Sequence, residues 1–72
     1  MSYVVNPLGY THPPVFDTLK EARAFMNQCV RGDKERASYK LTVIHHTKDH
    51  KELKIGGKRG YHTYAEYWIT EV

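Results

Sequence analysis

The chain has 72 residues, of which 40% are hydrophobic and 26% charged, and its 11 Lys and Arg residues against 8 Asp and Glu residues give a formal net charge of +3. This composition is typical of one small folded domain, residues 1–72, and excludes a disordered tail. The single cysteine excludes an internal disulfide, and the longest aliphatic stretch, 41–44, is too short to cross a bilayer, so we expect a cytoplasmic protein without a membrane partner.

The N-terminal segment predicts a first strand followed by a loop. Residues 2–5 are β-branched or aromatic, and Asn6-Pro7 ends the run. Residues 8–15 contain one glycine and two prolines, which favour an extended approach to the next element. We expect Tyr10, Val15 and Phe16 to close one end of the core.

Residues 17–32 predict an amphipathic helix. Thr18 and Glu21 have the spacing of a capping box at its start. Gly32 stands where a left-handed C-terminal cap is expected, with Arg31 in the last turn. The apolar stripe of this helix comprises Leu19, Ala22, Met26, Cys29 and Val30, with Phe25 on its flank.

The remainder predicts three strands. Residues 33–36 are expected to form a solvated connector. Apolar and polar side chains alternate with the period of a strand over 39–46 and again over 52–55, and residues 47–51 between them are expected to form a turn. A Gly-rich reversal at 56–60 leads to a last strand over 61–72. The alternative for the last segment is a helix that begins at Thr63, with Glu66 completing a capping box.

The fold class is therefore α+β, with two layers: one amphipathic helix packed on a small antiparallel sheet in the order β-α-β-β-β. The helix covers one face of the sheet, and the opposite face, here called the open face, has no partner in this arrangement. Alternation assigns Leu41, Val43, Leu53, Ile55, Ala65, Tyr67 and Ile69 to the helix side, and Lys40, Thr42, Ile44, His46, Lys54, Tyr64, Glu66 and Trp68 to the open face.

Large apolar side chains on the open face indicate a contact surface. We expect Ile44, His46, Tyr64 and Trp68 to bind a macromolecular partner or a second copy of the chain. Two alternatives remain: these side chains only pack across neighbouring strands, or the parity of the last strand is inverted.

Positive charge is concentrated in residues 48–59, where Lys48, Lys51, Lys54, Lys58 and Arg59 stand against two acidic residues. Together with aromatic residues on the open face, this hairpin predicts a nucleic-acid interface as the alternative function. The Gly-rich tip at 56–60 is either a phosphate-contacting loop or a solvated hairpin end, and it lacks the length and ending of a nucleotide P-loop.

Histidine is enriched, but we expect no metal and no other cofactor. His45 and His46 point to opposite faces of one strand, whereas His46, His50 and His62 could converge at one end of the sheet. The only cysteine, Cys29, belongs to the helix stripe. No nucleophile stands beside an evident base, so we expect no catalytic residue and no enzyme activity.

These observations predict a small, basic, non-enzymatic binding protein that acts by occupying a surface of a macromolecular partner. We expect a protein target ahead of a nucleic acid, because a net charge of +3 is small for a nucleic-acid binder. Chains of this size and composition are typical of regulators or inhibitors, including those carried by phages and other mobile elements.

Overall fold

One helix lies against one face of an antiparallel sheet in the computed structural model, which describes residues 1–6 and 14–72. The α+β class and its two layers are confirmed. In chain order the elements are β1 (Tyr3–Asn6), β2 (Val15–Phe16), α1 (Leu19–Arg36), β3 (Leu41–Thr47), β4 (His50–Ile55) and β5 (His62–Glu71).

The sheet has the strand order β2-β1-β5-β4-β3, and all neighbouring strands are antiparallel. Strands β3, β4 and β5 form a meander that starts with β3 at the edge opposite β2 and runs towards the middle of the sheet, where β5 pairs with β1. The C-terminal segment is thus the central strand, so the alternative of a helix beginning at Thr63 is wrong.

The two-residue strand β2 was not predicted, because its sequence is too short to show alternation. Val15 and Phe16 pair with Val4 and Tyr3, which places β2 at the edge of the sheet. Phe16 packs against the core as predicted and stacks obliquely on Phe25 of the helix. The prediction that Val15 closes the core is wrong, because Val15 lies on the edge strand and is exposed. The prediction for Tyr10 lies outside the described residues.

The predicted helix-facing side of the sheet is confirmed. Leu41, Leu53 and Tyr67 are buried beneath the helix together with Val5, Ala22 and Met26. The other predicted inward residues, namely Val43, Ile55, Ala65 and Ile69, are partly buried and pack on this cluster. The parity assigned to the last strand is therefore correct.

The helix begins as the capping-box spacing predicts. Thr18 has extended backbone angles, and its hydroxyl oxygen accepts a hydrogen bond of 3.2 Å from the backbone N–H of Glu21. The same hydroxyl donates to the Glu21 carboxylate at 2.9 Å. In the described part of the chain no helix combines the length and apolarity needed to span a bilayer.

The predicted end of the helix at Gly32 is wrong. The helix continues to Arg36, where the backbone N–H of Ala37 donates to the carbonyl of Asp33 at 2.9 Å. Gly32 is an interior helical residue rather than a left-handed cap, and residues 33–36 are the last helical turn rather than a solvated connector. Left-handed glycines occur instead at Gly56 and Gly60, around the β4–β5 turn.

Asp33 explains why the helix does not stop at the glycine. Its carboxylate is almost fully buried, and it accepts hydrogen bonds from the Tyr67 hydroxyl and from Arg36, the latter at 2.7 Å. Burial and the hydrogen bond to this carboxylate raise the pKa of Tyr67 well above its usual range. A buried carboxylate requires such partners, and it finds them only when the last turn is helical.

We expect Tyr67→Phe to lower the free energy of unfolding by about 1–3 kcal/mol, because it leaves one oxygen of a buried carboxylate without its donor. Urea denaturation followed by circular dichroism measures the change. Tyr61→Phe is the matched control, since Tyr61 is 71% exposed, and its effect should stay within about 0.5 kcal/mol. Equal effects of the two substitutions would contradict a stabilising role for the Tyr67–Asp33 contact.

We expect Gly32→Ala to raise the free energy of unfolding by up to about 1 kcal/mol, because glycine in a helix interior is less favourable than alanine. The new Cβ would lie 3.1 Å from Arg36 Nη1, so this exposed side chain must shift by a few tenths of an ångström while its Nη2 keeps the hydrogen bond to Asp33. The same urea experiment measures this change. A clear loss of stability that is also seen in an Arg36→Ala background, where this close contact is absent, would contradict the interior placement, since a left-handed cap penalises alanine.

Candidate functional site

The open face of the sheet is the candidate functional site. Among residues 1–6 and 14–72 the only helix lies on the other face. The strand register places Glu52 between Ile44 and Glu66, and it places His50 beside Trp68. A row of charged and imidazole side chains therefore runs across the middle of the open face.

Two histidine–carboxylate pairs form the centre of the open face. His46 Nε2 lies 3.0 Å from Glu52 Oε1, and His50 Nε2 is hydrogen-bonded to the Glu66 carboxylate. The Thr63 hydroxyl donates to the second oxygen of Glu52. The two imidazole rings are 4.6 Å apart between centroids, so both pairs belong to one connected polar cluster.

Hydrogen bonding fixes the charge state of one carboxylate in this cluster. The Thr63 hydroxyl and the His46 ring hold the pKa of Glu52 below its ordinary value, because both hydrogen bonds favour the ionised form. The open face therefore carries a carboxylate anion at its centre at neutral pH.

Trp68 lies beside this polar cluster. It is partly buried, its ring meets that of His50 edge-on at 6.4 Å between centroids, and its Cα is opposite that of Asn6 on β1. The Asn6 amide donates to Thr70 Oγ1 at 2.9 Å, which links the neighbouring strands next to the indole. Trp68 is thus held on a central strand with strands on both sides.

Two β-bulges change the positions of two predicted site residues. The register of β3 and β4 shifts between His45 and Thr47, which leaves His46 as the extra residue. The register of β4 and β5 shifts between Leu53 and Lys54, which leaves Tyr64 as the extra residue. Bulges redirect side chains, and simple alternation in the sequence does not reveal them.

The four predicted contact residues do not form one apolar patch. Ile44 and Trp68 are separated by β4 and the central carboxylates, and His46 belongs to the polar cluster. Tyr64 instead meets the exposed Tyr39 edge-on at 6.1 Å between ring centroids. The open face therefore has a polar centre with apolar side chains around it.

The predicted cations are distributed over three surfaces. Lys48 and Lys51 line a groove of about 310 Å³ between α1 and the β3–β4 turn, whose other lining residues are Arg23, Asn27, His45 and Thr47. Lys54 is paired with Thr42 and Thr63 in the sheet. Lys58 and Arg59 lie in the β4–β5 turn, at the opposite end of β4 from the groove.

The groove is held together by polar contacts between helix and hairpin. Arg23 Nε donates to the Asp49 carboxylate at 2.6 Å, and Lys51 Nζ donates to the Asn27 side chain at 2.5 Å. Arg23 and Asn27 were not predicted as site residues. The helical pattern in the sequence shows where the helix lies in the chain, but it does not show which hairpin the helix will contact.

Of the three histidines that were expected to converge, namely His46, His50 and His62, only two do so. His46 and His50 converge, but His62 is paired with Ile55 at the other end of β4. Glu66 takes the third place: its carboxylate and one nitrogen of each histidine lie within 4.8 Å of one another. His50 was not predicted as an open-face residue, because residues 47–51 read as a turn and the strand actually begins at His50. Glu52 was not named either, although it begins the strand predicted over 52–55 and its parity opposite Leu53 places it on the open face.

Cys29 lies in the helix stripe as predicted. It is partly buried against the core, and burial together with the nearby Asp33 carboxylate raises the pKa of its thiol. A raised pKa keeps a thiol protonated and weakly nucleophilic at neutral pH. Its chemistry therefore gives no support to a nucleophilic role.

Comparison with protein-family models, with curated proteins and with solved structures gives no match for this chain.

Proposed function

We propose that this protein is a non-enzymatic binding protein that occupies a surface of a protein partner through its open face. The observation that carries the proposal is the position of Trp68, a large aromatic side chain that is partly exposed on a sheet face where the described residues place no covering element. Blocking a partner's surface in this way is the action of a regulator or inhibitor.

The surroundings of Trp68 support a binding role. Tryptophan is enriched among the residues that contribute most to protein interfaces, and such residues are surrounded by contacts that exclude water. Trp68 is held on the central strand, beside His50 and opposite Asn6, so little conformational freedom remains to be lost on binding. Ile44 and Tyr64 lie further out and would contact the periphery of the same partner.

The charges on the open face favour a protein over a nucleic acid. Glu52 and Glu66 occupy opposed positions on β4 and β5, and the Glu52 carboxylate, whose pKa is lowered by its hydrogen bonds, repels phosphate groups. The carboxylates and imidazoles offer hydrogen bonds of the kind that protein interfaces use around an apolar anchor. The histidines and Lys54 keep this surface mixed in sign rather than strongly basic.

We expect Trp68→Ala to abolish capture of a protein from a lysate of the natural host cell, with capture by the wild type unaffected by nuclease. Tyr61→Ala is the matched control, because it removes an exposed aromatic from the β4–β5 turn and should leave capture intact. Circular dichroism and the urea midpoint verify that both variants fold. Gel filtration of the wild type identifies the case in which the partner is a second copy of the chain.

Two results would contradict this proposal. One is equal capture by the wild type and a folded Trp68→Ala variant, since a central aromatic anchor should increase the dissociation rate strongly when it is removed. The other is capture that disappears on nuclease treatment, which would favour the nucleic-acid function.

The basic groove supports nucleic-acid binding as the second candidate function. It brings Lys48, Lys51 and Arg23 together at one end of the sheet, next to His45. The Asp49 carboxylate offsets the charge of Arg23, so the two lysines carry most of the attraction for phosphate. Lys58 and Arg59 would form a separate contact, because they lie at the other end of β4.

If the groove contacts phosphates, each of Lys48→Gln and Lys51→Gln should reduce the slope of log affinity against log salt by about 0.9 for duplex DNA or 0.7 for a single strand. The same test applies to Lys58→Gln and Arg59→Gln at the other hairpin end. Lys34→Gln, in the last helical turn, is the control and should leave the slope unchanged. Fluorescence anisotropy with labelled oligonucleotides measures these slopes, and failure of the wild type to bind any DNA or RNA at low salt would contradict the second candidate.

A further inference from the structure

The polar cluster on the open face contains a set of metal ligands. His46, His50 and Glu66 each offer one ligand atom, and these atoms lie within 4.8 Å of one another. Two imidazoles and one carboxylate are a set that proteins use for Zn²⁺, with a fourth position left for water or another ligand. From the sequence alone we expect no metal, because the only cysteine lies on the helix stripe and the third histidine that could converge with His46 and His50 is His62; the spacing does not point to Glu66.

The fold brings the three ligands together from three strands. His46 is the bulged residue at the end of β3, His50 is the first residue of β4, and Glu66 lies on β5, diagonally across from His50. Only Thr47, the last residue of β3, and the two residues of the β3–β4 turn separate the two histidines in the chain. The bulge redirects His46 and brings its ring close to that of His50.

The distances suit a small divalent ion after a modest side-chain movement. Zn²⁺ bonds of about 2.0–2.2 Å with tetrahedral geometry place ligand atoms roughly 3.3 Å apart. The three side chains are between 36% and 40% exposed, so each has room to rotate. In this structure the Glu66 carboxylate is hydrogen-bonded to His50, and a metal ion would replace that proton-mediated contact by bridging both groups.

A neighbouring carboxylate supports the ligand set from outside. Glu52 is hydrogen-bonded to the His46 ring and is itself held by the Thr63 hydroxyl. Metal-binding histidines commonly donate their second ring N–H to a carboxylate, which orients the ring and increases its basicity. Glu52 lies 3.0 Å from His46 Nε2 and its side chain is only 13% exposed, so it is well placed to accept a hydrogen bond from this nitrogen while Nδ1 of the same ring binds the metal.

We propose that His46, His50 and Glu66 bind a divalent transition-metal ion of the Zn²⁺ class, with Glu52 orienting His46. The site does not depend on the identity of a macromolecular partner. A metal there would cross-link β3, β4 and β5 beside Trp68, and it would place a positive charge at the otherwise acidic centre of the open face.

The test uses the full chain prepared without a polyhistidine tag and titrated with Co²⁺, which quenches nearby tryptophan and has a coordination-sensitive visible spectrum. Trp68 is the only tryptophan in the chain, and its ring centroid is 6.4 Å from that of His50. We expect quenching to saturate at one equivalent of Co²⁺ and to be reversed by Zn²⁺. Zn²⁺ should also raise the thermal unfolding midpoint, because it binds the folded state.

His46→Gln, His50→Gln and Glu66→Gln should each weaken Co²⁺ and Zn²⁺ binding at least tenfold and abolish the thermal shift. His45→Gln is the matched control, since His45 neighbours His46 in sequence but pairs with Lys51 outside the ligand set, and His62→Gln is a second control. Glu52→Gln should weaken binding about 10- to 100-fold as the loss of an orienting carboxylate. Non-saturable binding, or equal weakening by His45→Gln and His46→Gln, would overturn the proposal.

Discussion

The buried hydrogen bond between Tyr67 and Asp33 determines how the helix lies on the sheet. Tyr67 belongs to the central strand, and Asp33 lies in the last turn of the helix, so one contact joins the middle of the sheet to the end of α1. A carboxylate in this position is costly unless it is fully hydrogen-bonded. The helix therefore continues beyond Gly32, and its apolar stripe packs against β1, β2 and β5. Among residues 1–6 and 14–72, the same placement leaves the opposite sheet face without a helix.

The open face combines features that usually occur on different surfaces. Its centre is a polar cluster in which each carboxylate has a histidine partner, while Trp68 lies directly beside it. An apolar anchor next to orientable polar groups suits specific contact with a protein. Two histidines and a carboxylate also suit a metal ion. Because both depend on the side chains of β3, β4 and β5, a bound ion would alter the charge that a partner meets.

Positive charge and the aromatic anchor are separated in space. Lys48 and Lys51 line the groove beside the helix, whereas Lys58 and Arg59 occupy the opposite end of the β4–β5 hairpin. Trp68 lies on the other face of the sheet from the helix-side groove. A nucleic acid following all of these cations would have to pass around the domain rather than across one platform. This distribution adds to the position of Trp68 and to the central carboxylates as a reason to propose a protein partner.

The sequence by itself determined the fold class, the start of the helix, the residues of the core and the parity of the last strand, because each depends on local patterns: a capping residue, a helical stripe or alternation along one strand. Only the tertiary structure decided where the helix ends, since Asp33 looks solvated until its distant partner Tyr67 is known. The same holds for the polar cluster. Sequence spacing placed His46 near His50, but the bulge at His46, the start of β4 at His50 and the opposing strand that carries Glu66 are properties of strand register. Register couples residues on different strands, and a bulge inserts an extra residue whose position the alternation along a single strand does not reveal.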